Sequence, residues 1–92
     1  MTLDRDAVKA TIRDKVIALA QLLGMDASAI GDEEIIPATG LLDSTAVLEL
    51  VVWFEQTYDL TLAQDEINID NLGSIDAMAA FLLARKAGGA SV

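Results

Sequence analysis

The chain has 92 residues, 53% hydrophobic and only 4% aromatic, and 15 acids against 6 bases leave a formal charge of −9. That length suits one domain with one modest core. The absence of cysteine and histidine excludes disulfides and the common zinc constellations, and so acidic a surface repels nucleic acid and anionic lipid. An aliphatic, Ala-rich composition poor in the aromatic and β-branched residues of strands predicts an all-α fold. Met1 to Lys15 is densely charged and lacks the apolar core of a secretory signal, and no apolar run reaches the length of a membrane span. A cytoplasmic monomer with no metal site and no membrane contact is expected.

Val8, Ile12, Val16, Leu19 and Leu23 recur at helical spacing and predict an amphipathic helix from about Asp4 to Leu23. Thr2 or Asp4 suits its start and Gly24 its C′ position. Arg5, Lys9 and Arg13 stack on the outer side as a solvated basic stripe, with Asp6 placed to pair with Lys9. The remaining bases are Lys15, Arg85 and Lys86, so the span from Val16 to Ala84 holds no base and every acid except Asp4, Asp6 and Asp14. Such a surface either steers toward basic partners or simply keeps a small apolar domain soluble.

A long acidic connection follows, from Gly24 to Asp43, broken by Gly31, Pro37 and Gly40. A loop of that length inside a small domain needs a helical turn or its own apolar pins, for which Ile30, Ile35, Ile36, Leu41 and Leu42 are candidates. Ile36 precedes proline and is expected to be extended.

The second helix is predicted from about Ser44 to Tyr58, capped by Ser44 or Asp43. It has two apolar faces. Ala46, Val47, Leu50, Val51, Phe54 and Tyr58 share one arc, as a buried face should. Leu48 and Val52 lie on the other side beneath Ser44, flanked by Thr45, Glu49 and Glu55, and Trp53 stands at the edge between the faces. Either the long loop folds over this second stripe, or the stripe is a contact surface rimmed by acids.

A weak helical turn is predicted around Gln64 to Asn68. Ser74 then caps a last helix from about Ile75 to Arg85, whose inward stripe is Ile75, Met78, Ala79 and Leu82, with Asp76 in its first turn and Arg85 and Lys86 in its last. The domain thus spans residues 1–86, and residues 87–92 form a frayed tail. The expected architecture is a four-helix bundle with a short third helix and a long loop between helices 1 and 2.

Two chemistries fail on inspection. The NIDNLG segment, set on an EF-hand loop from Asn68, puts Leu72 and Ala79 where oxygen ligands are required. Hydrolysis at Ser44 would need a base, but the chain has no histidine and no GxSxG elbow surrounds the serine. What remains is a serine modified by another enzyme, because a phosphodiester at a helix start faces free backbone N–H groups and the positive end of the dipole. The competing reading is that Ser44 only caps the helix.

The run GLLDSTAVLELVVWFEQTYDLTL, Gly40 to Leu62, resembles the acyl and peptidyl carrier protein family around its Asp-Ser motif. The resemblance extends over nearly the whole chain, with NLGSIDAMAAFL, Asn71 to Leu82, similar to the family's last helix. It implies that Ser44 carries 4′-phosphopantetheine, that Asp43 is the acid before it, and that Thr45, Leu48, Glu49, Val52 and Glu55 face partner enzymes. Where many fatty-acid carriers have Asp-Ser-Leu, Thr45 and Ala46 follow the serine here, which is similar to stand-alone D-alanyl and other aminoacyl carriers. The implied function is a non-enzymatic carrier holding an acyl or aminoacyl thioester, with three partners: a phosphopantetheinyl transferase, a loading enzyme and an acceptor enzyme. The alternative is an acidic helical adaptor without a covalent cofactor, binding a basic protein through Leu48, Val52 and the glutamates.

Overall fold

The structure, a computed structural model, describes residues 4–90, with side chains described for residues 4–86. The helices are α1 (Arg5–Leu22), α2 (Ile36–Thr39), α3 (Ser44–Thr57), α4 (Ile69–Leu72) and α5 (Ile75–Ala90), with a 3-10 turn at Gln64–Glu66. No strand occurs among the described residues. α1 packs along both α3 and α5, and α4 packs against α5. The all-α fold and the long connection before α3 are as the sequence predicts.

α1 starts at Asp4, whose carboxylate accepts from the Asp6 amide at 3.1 Å. Thr2, the other candidate cap, lies outside the described residues. Its end is a Schellman turn: the Gly24 amide donates to the Gln21 carbonyl at 3.0 Å and the Met25 amide to the Ala20 carbonyl at 2.8 Å. The turn corrects one core assignment. Val8, Ile12, Val16 and Leu19 are buried, but Leu23 becomes the C-cap and is swung outward, so Ala20 completes the buried stripe.

The basic stripe of α1 is not a free solvated face, for although Arg5 stays exposed all three cations are ion-paired, and Asp6 is not their partner. Arg5 binds Asp76 at 2.7 Å, Lys9 binds Asp32 at 2.8 Å and lies 3.7 Å from Asp76, and Arg13 holds both Asp32 and the Ile30 carbonyl. These acids come from the long connection and from α5, so three cations on one helix face fasten two distant elements. Backbone adds to the junction, since the Asp76 amide donates to the Asp32 carbonyl at 2.8 Å.

The pH response follows from this cluster. Hydrogen bonds from Lys9 and then Arg13 hold the Asp32 carboxyl below its ordinary range, and Arg5 does the same for Asp76. Asp32 in turn raises Lys9, and Asp76 raises Arg5. A depressed carboxyl stabilises the fold above its unfolded pKa, and the contribution is lost as pH falls through the lower folded value. The cations act oppositely, and the share of Lys9 and Arg5 persists until pH rises through their elevated values, well into the alkaline range. The cluster is therefore fully charged at neutral pH and is dismantled only below about pH 4. Urea midpoints measured against pH should decline on that acid limb. The double variant Asp32→Asn, Asp76→Asn should show a flatter limb, and equal slopes would contradict the assignment.

The long connection is pinned and also contains a helical turn. Ile30, Ile36 and Leu42 are buried and Leu41 is half-buried, whereas Ile35 remains exposed and pins nothing. Ile36 is not extended, as its place before proline predicts; it is the first residue of α2. Its side chain is 1% exposed and its amide donates to the Gly73 carbonyl at 2.7 Å, and these anchors outweigh the local bias before Pro37. The extended residue is Ile35 instead, at φ −76° and ψ 109°.

α3 buries Ala46, Leu50, Val51 and Phe54, with Val47 and Tyr58 half-buried. Trp53 is also half-buried, its ring edge-on to Tyr58 at 6.2 Å. The predicted turn after α3 is the 3-10 segment at Gln64–Glu66, and α4 is an additional element. Asn68 caps α4 by accepting from the Asn71 amide at 2.8 Å, so the segment tested as a calcium loop is a helix start. Ser74 caps α5 through the Ala77 amide at 3.0 Å, and Ile75, Met78, Ala79 and Leu82 are fully buried. α5 continues to Ala90, past the predicted end at Arg85, which removes Arg85 from the last turn. That side chain instead binds Glu66 at 2.8 Å and the Thr61 carbonyl at 2.7 Å, tying the link after α3 to α5. Of the tail predicted to fray, residues 87–90 have helical backbone, and Ser91 and Val92 lie outside the described residues.

Candidate functional site: the start of α3

The approach to α3 is fixed by short-range contacts. Thr39 Oγ1 donates to the Ile36 carbonyl at 2.6 Å and accepts from the Leu41 amide at 3.2 Å. Gly40 reverses the chain at φ +74°, a conformation that costs a Cβ-bearing residue about 1–2 kcal/mol. Leu42 is then driven into the core. With Leu42 and Ala46 both buried, only Asp43, Ser44 and Thr45 are left at the surface between them.

Asp43 is the N-cap. Its carboxylate accepts from the Ala46 amide at 2.8 Å, and its carbonyl accepts from the Val47 amide at 2.9 Å. Ser44 is therefore the first helical residue and is exposed, with its hydroxyl released from the capping role. The amides of Ser44 and Thr45, at the first two helical positions, have no carbonyl one turn back to accept them. Two N–H groups with no acceptor among the described residues, at the positive end of a 14-residue helix, suit the oxygens of a phosphodiester on the neighbouring hydroxyl.

The long connection does not cover the second stripe of α3. Leu48 is 61% exposed and Val52 42% exposed. Thr45 and Glu49 are exposed beside them. Glu55 differs from its predicted place in the rim: it is half-buried, and its Oε2 accepts from the Leu62 amide at 3.0 Å. One of its oxygens thus fastens the link after α3, whereas Glu49 has neither an ion-pair nor a hydrogen-bond partner for its carboxylate among the described residues.

Two hollows flank α3, and neither is among the features predicted above. On one side Val47 and Val51 open onto a cleft of about 170 Å³ walled by Pro37, Ile67, Ile69 and Leu72. On the other, a depression of about 100 Å³ lies between the end of α1, at Leu19, Leu22 and Leu23, and the start of α3, at Asp43, Thr45, Ala46 and Glu49. The run Leu22-Leu23-Gly24-Met25 was a visible signal for the second, because a helix end rarely needs so many aliphatic residues on both sides of its glycine.

Among the described residues no group of acids could hold a metal ion, and no helix is long and apolar enough to cross a membrane. The site is thus an exposed serine, Ser44, at the start of a capped helix in a small helical domain. Residues 16–82 match the family described as the phosphopantetheine attachment site, and the chain belongs to that family. Its members are non-catalytic and carry 4′-phosphopantetheine covalently on a serine, attached by a phosphopantetheinyl transferase and served by biosynthetic enzymes. No curated protein and no solved structure matches the chain.

Proposed function

We propose that Ser44 is the serine that carries the arm, and that the chain is a stand-alone, monomeric carrier of an acyl or aminoacyl group. The observation carrying this reading is the division of roles at the start of α3: Asp43 takes the cap, and Ser44 is left exposed beside two free amides. In the attachment step the Ser44 hydroxyl displaces adenosine 3′,5′-bisphosphate at the phosphorus of coenzyme A, and the serine proton leaves to a base supplied by the transferase. Once attached, the arm supplies a terminal thiol that holds cargo as a thioester. The chain's own residues orient and present: Asp43 holds the helix start, the Ser44 and Thr45 amides meet the phosphodiester, and Leu48 and Val52 are buried against partner enzymes. Glu49, with the free oxygen of Glu55, steers basic surfaces toward that stripe. The partners are the transferase, an enzyme that activates and loads the cargo, and an acceptor enzyme, all met in the cytoplasm. Thr45 and Ala46 after the serine favour aminoacyl over long fatty acyl cargo, by their similarity to aminoacyl carriers.

Incubation with coenzyme A and a broad-specificity phosphopantetheinyl transferase should add one phosphopantetheine mass, and Ser44→Ala should abolish the gain. Failure of several such transferases to modify the wild-type chain would overturn the reading. The same variants separate site from cap in urea unfolding. Asp43→Ala should lose about 1 kcal/mol, and Ser44→Ala should stay within about 0.5 kcal/mol of wild type. A Ser44→Ala loss as large as that of Asp43→Ala would return the serine to a capping role.

A further inference from the structure

Leu22, Leu23 and Met25 form an aliphatic group at the end of α1 that the described residues leave exposed, Leu22 at 81%. The cluster is held rigidly, since the Schellman bonds from the Gly24 and Met25 amides fix the turn that carries it. Scattered apolar residues on a surface need no explanation, but adjacent ones on an ordered turn mark a contact site. Their position gives the contact its meaning. Leu22 and Leu23 share a depression with Asp43, Thr45 and Glu49, the immediate neighbours of Ser44. Thr45 and Glu49, one helical turn apart, run between this cluster and the Leu48 and Val52 stripe.

An enzyme that brings a coenzyme A phosphorus to the Ser44 hydroxyl must cover the start of α3, and with it the depression beside Thr45. We propose that the aliphatic end of α1 is part of the face on which the phosphopantetheinyl transferase docks. The transferase meets Leu22 and Leu23 with apolar side chains and Glu49 with a Lys or Arg between the two aliphatic patches. Charge supports that partner: no base occurs from Val16 to Ala84, and Arg5, Lys9, Arg13 and Arg85 are engaged with Asp32, Asp76 and Glu66. Glu49, which has no ion-pair partner among the described residues, is therefore open to a cation supplied from outside. This inference rests on the reading of Ser44 as the attachment serine.

The test uses the full unmodified chain, a broad-specificity transferase and coenzyme A, with initial rates of mass gain, the affinity of transferase for carrier by calorimetry, and urea midpoints. Leu22→Asp, at an exposed position, should keep the wild-type midpoint and lower kcat/KM about tenfold or more through weaker binding. The wild-type rate should fall with added salt, and Glu49→Gln should flatten that dependence. Ala10→Asp, about 18 Å back along α1, should match wild type. Rates and affinity for Leu22→Asp within about twofold of wild type would overturn the inference. So would a wild-type dimer dissociated by Leu22→Asp, because a second copy would then be the occupant. No mass gain in the wild type, or a gain that persists in Ser44→Ala, would instead remove the reading of Ser44 and the inference with it.

Discussion

Phe54→Ala should remove about 3–5 kcal/mol of stability, the largest loss expected from a substitution in α3. The side chain is fully buried, and its ring lies edge-on to Tyr58 at 5.5 Å. Deletion forfeits the transfer free energy of an aromatic ring and leaves a cavity in the core beneath α3, which helices joined at fixed caps cannot close completely. A 92-residue domain has roughly 5–14 kcal/mol in all, so the variant would stand close to unfolding at physiological temperature. Urea unfolding followed by fluorescence of Trp53, the sole tryptophan, reads the effect directly. Phe54→Leu, which retains most of the apolar volume, should lose less. A loss below about 1 kcal/mol for Phe54→Ala would mean that the site collapses freely and that α1 and α3 are not packed as described. The proposed role of Ser44 would follow stability, because the arrangement of its hydroxyl and neighbouring amides exists only while the start of α3 is folded.

The three long helices were legible because each carries a repeated signal. Val8, Ile12, Val16 and Leu19 mark α1, Leu50 and Phe54 mark α3, and Met78 and Leu82 mark α5, each behind a side-chain cap. α2 and α4 have four residues apiece, too few for a period to emerge. Their stability is tertiary, as Ile36 illustrates: a buried side chain and the Gly73 carbonyl override the preference before proline. The partners of the α1 cations were hidden for a related reason. Asp6 was the neighbour visible in sequence, whereas Asp32 and Asp76 reach Lys9 only after the connection and α5 have folded back.

At the candidate site, the Asp-Ser motif made Ser44 stand out in the sequence, but the freedom of its hydroxyl was not legible. That depends on which of two adjacent capping residues takes the Ala46 amide, a question of backbone torsion at Asp43, φ −81° and ψ 177°. The exposure of Leu48 and Val52 depends likewise on where the long connection runs, which α1 decides by holding Asp32. Glu55 shows the limit of helical-wheel reasoning: its angular position is outward, yet the chain turns back after Asp59 and the Leu62 amide reaches its carboxylate. Asp59 makes that turn at φ +53°, a conformation more usual for glycine.

Gly73→Ala should cost about 1–3 kcal/mol through steric crowding, with the damage concentrated where α2, α4 and α5 meet. A Cβ placed there would lie 2.4 Å from the Ile69 carbonyl oxygen and 2.7 Å from Ile69 Cγ2. The backbone has little room to yield, because the Gly73 amide donates to that same carbonyl at 2.8 Å and its own carbonyl accepts from the Ile36 amide at 2.7 Å. Relief requires lengthening one of these bonds, which frees either α4 or α2 and so disturbs the walls of the cleft beside Val47 and Val51. Hydrogen exchange should therefore accelerate at the Ile36 and Gly73 amides more than in the middle of α1, a pattern that a uniform loss of stability would not produce. Gly40→Ala provides the contrast, since its φ of +74° is unfavourable for alanine but nothing lies within 4 Å of the added carbon. Its cost is strain alone, about 1–2 kcal/mol, and Gly40→Asn should recover part of it while Gly73→Asn recovers none. Wild-type stability for Gly73→Ala would show that the junction has slack, and that Ile36 is held in α2 by its buried side chain without help from the Gly73 carbonyl.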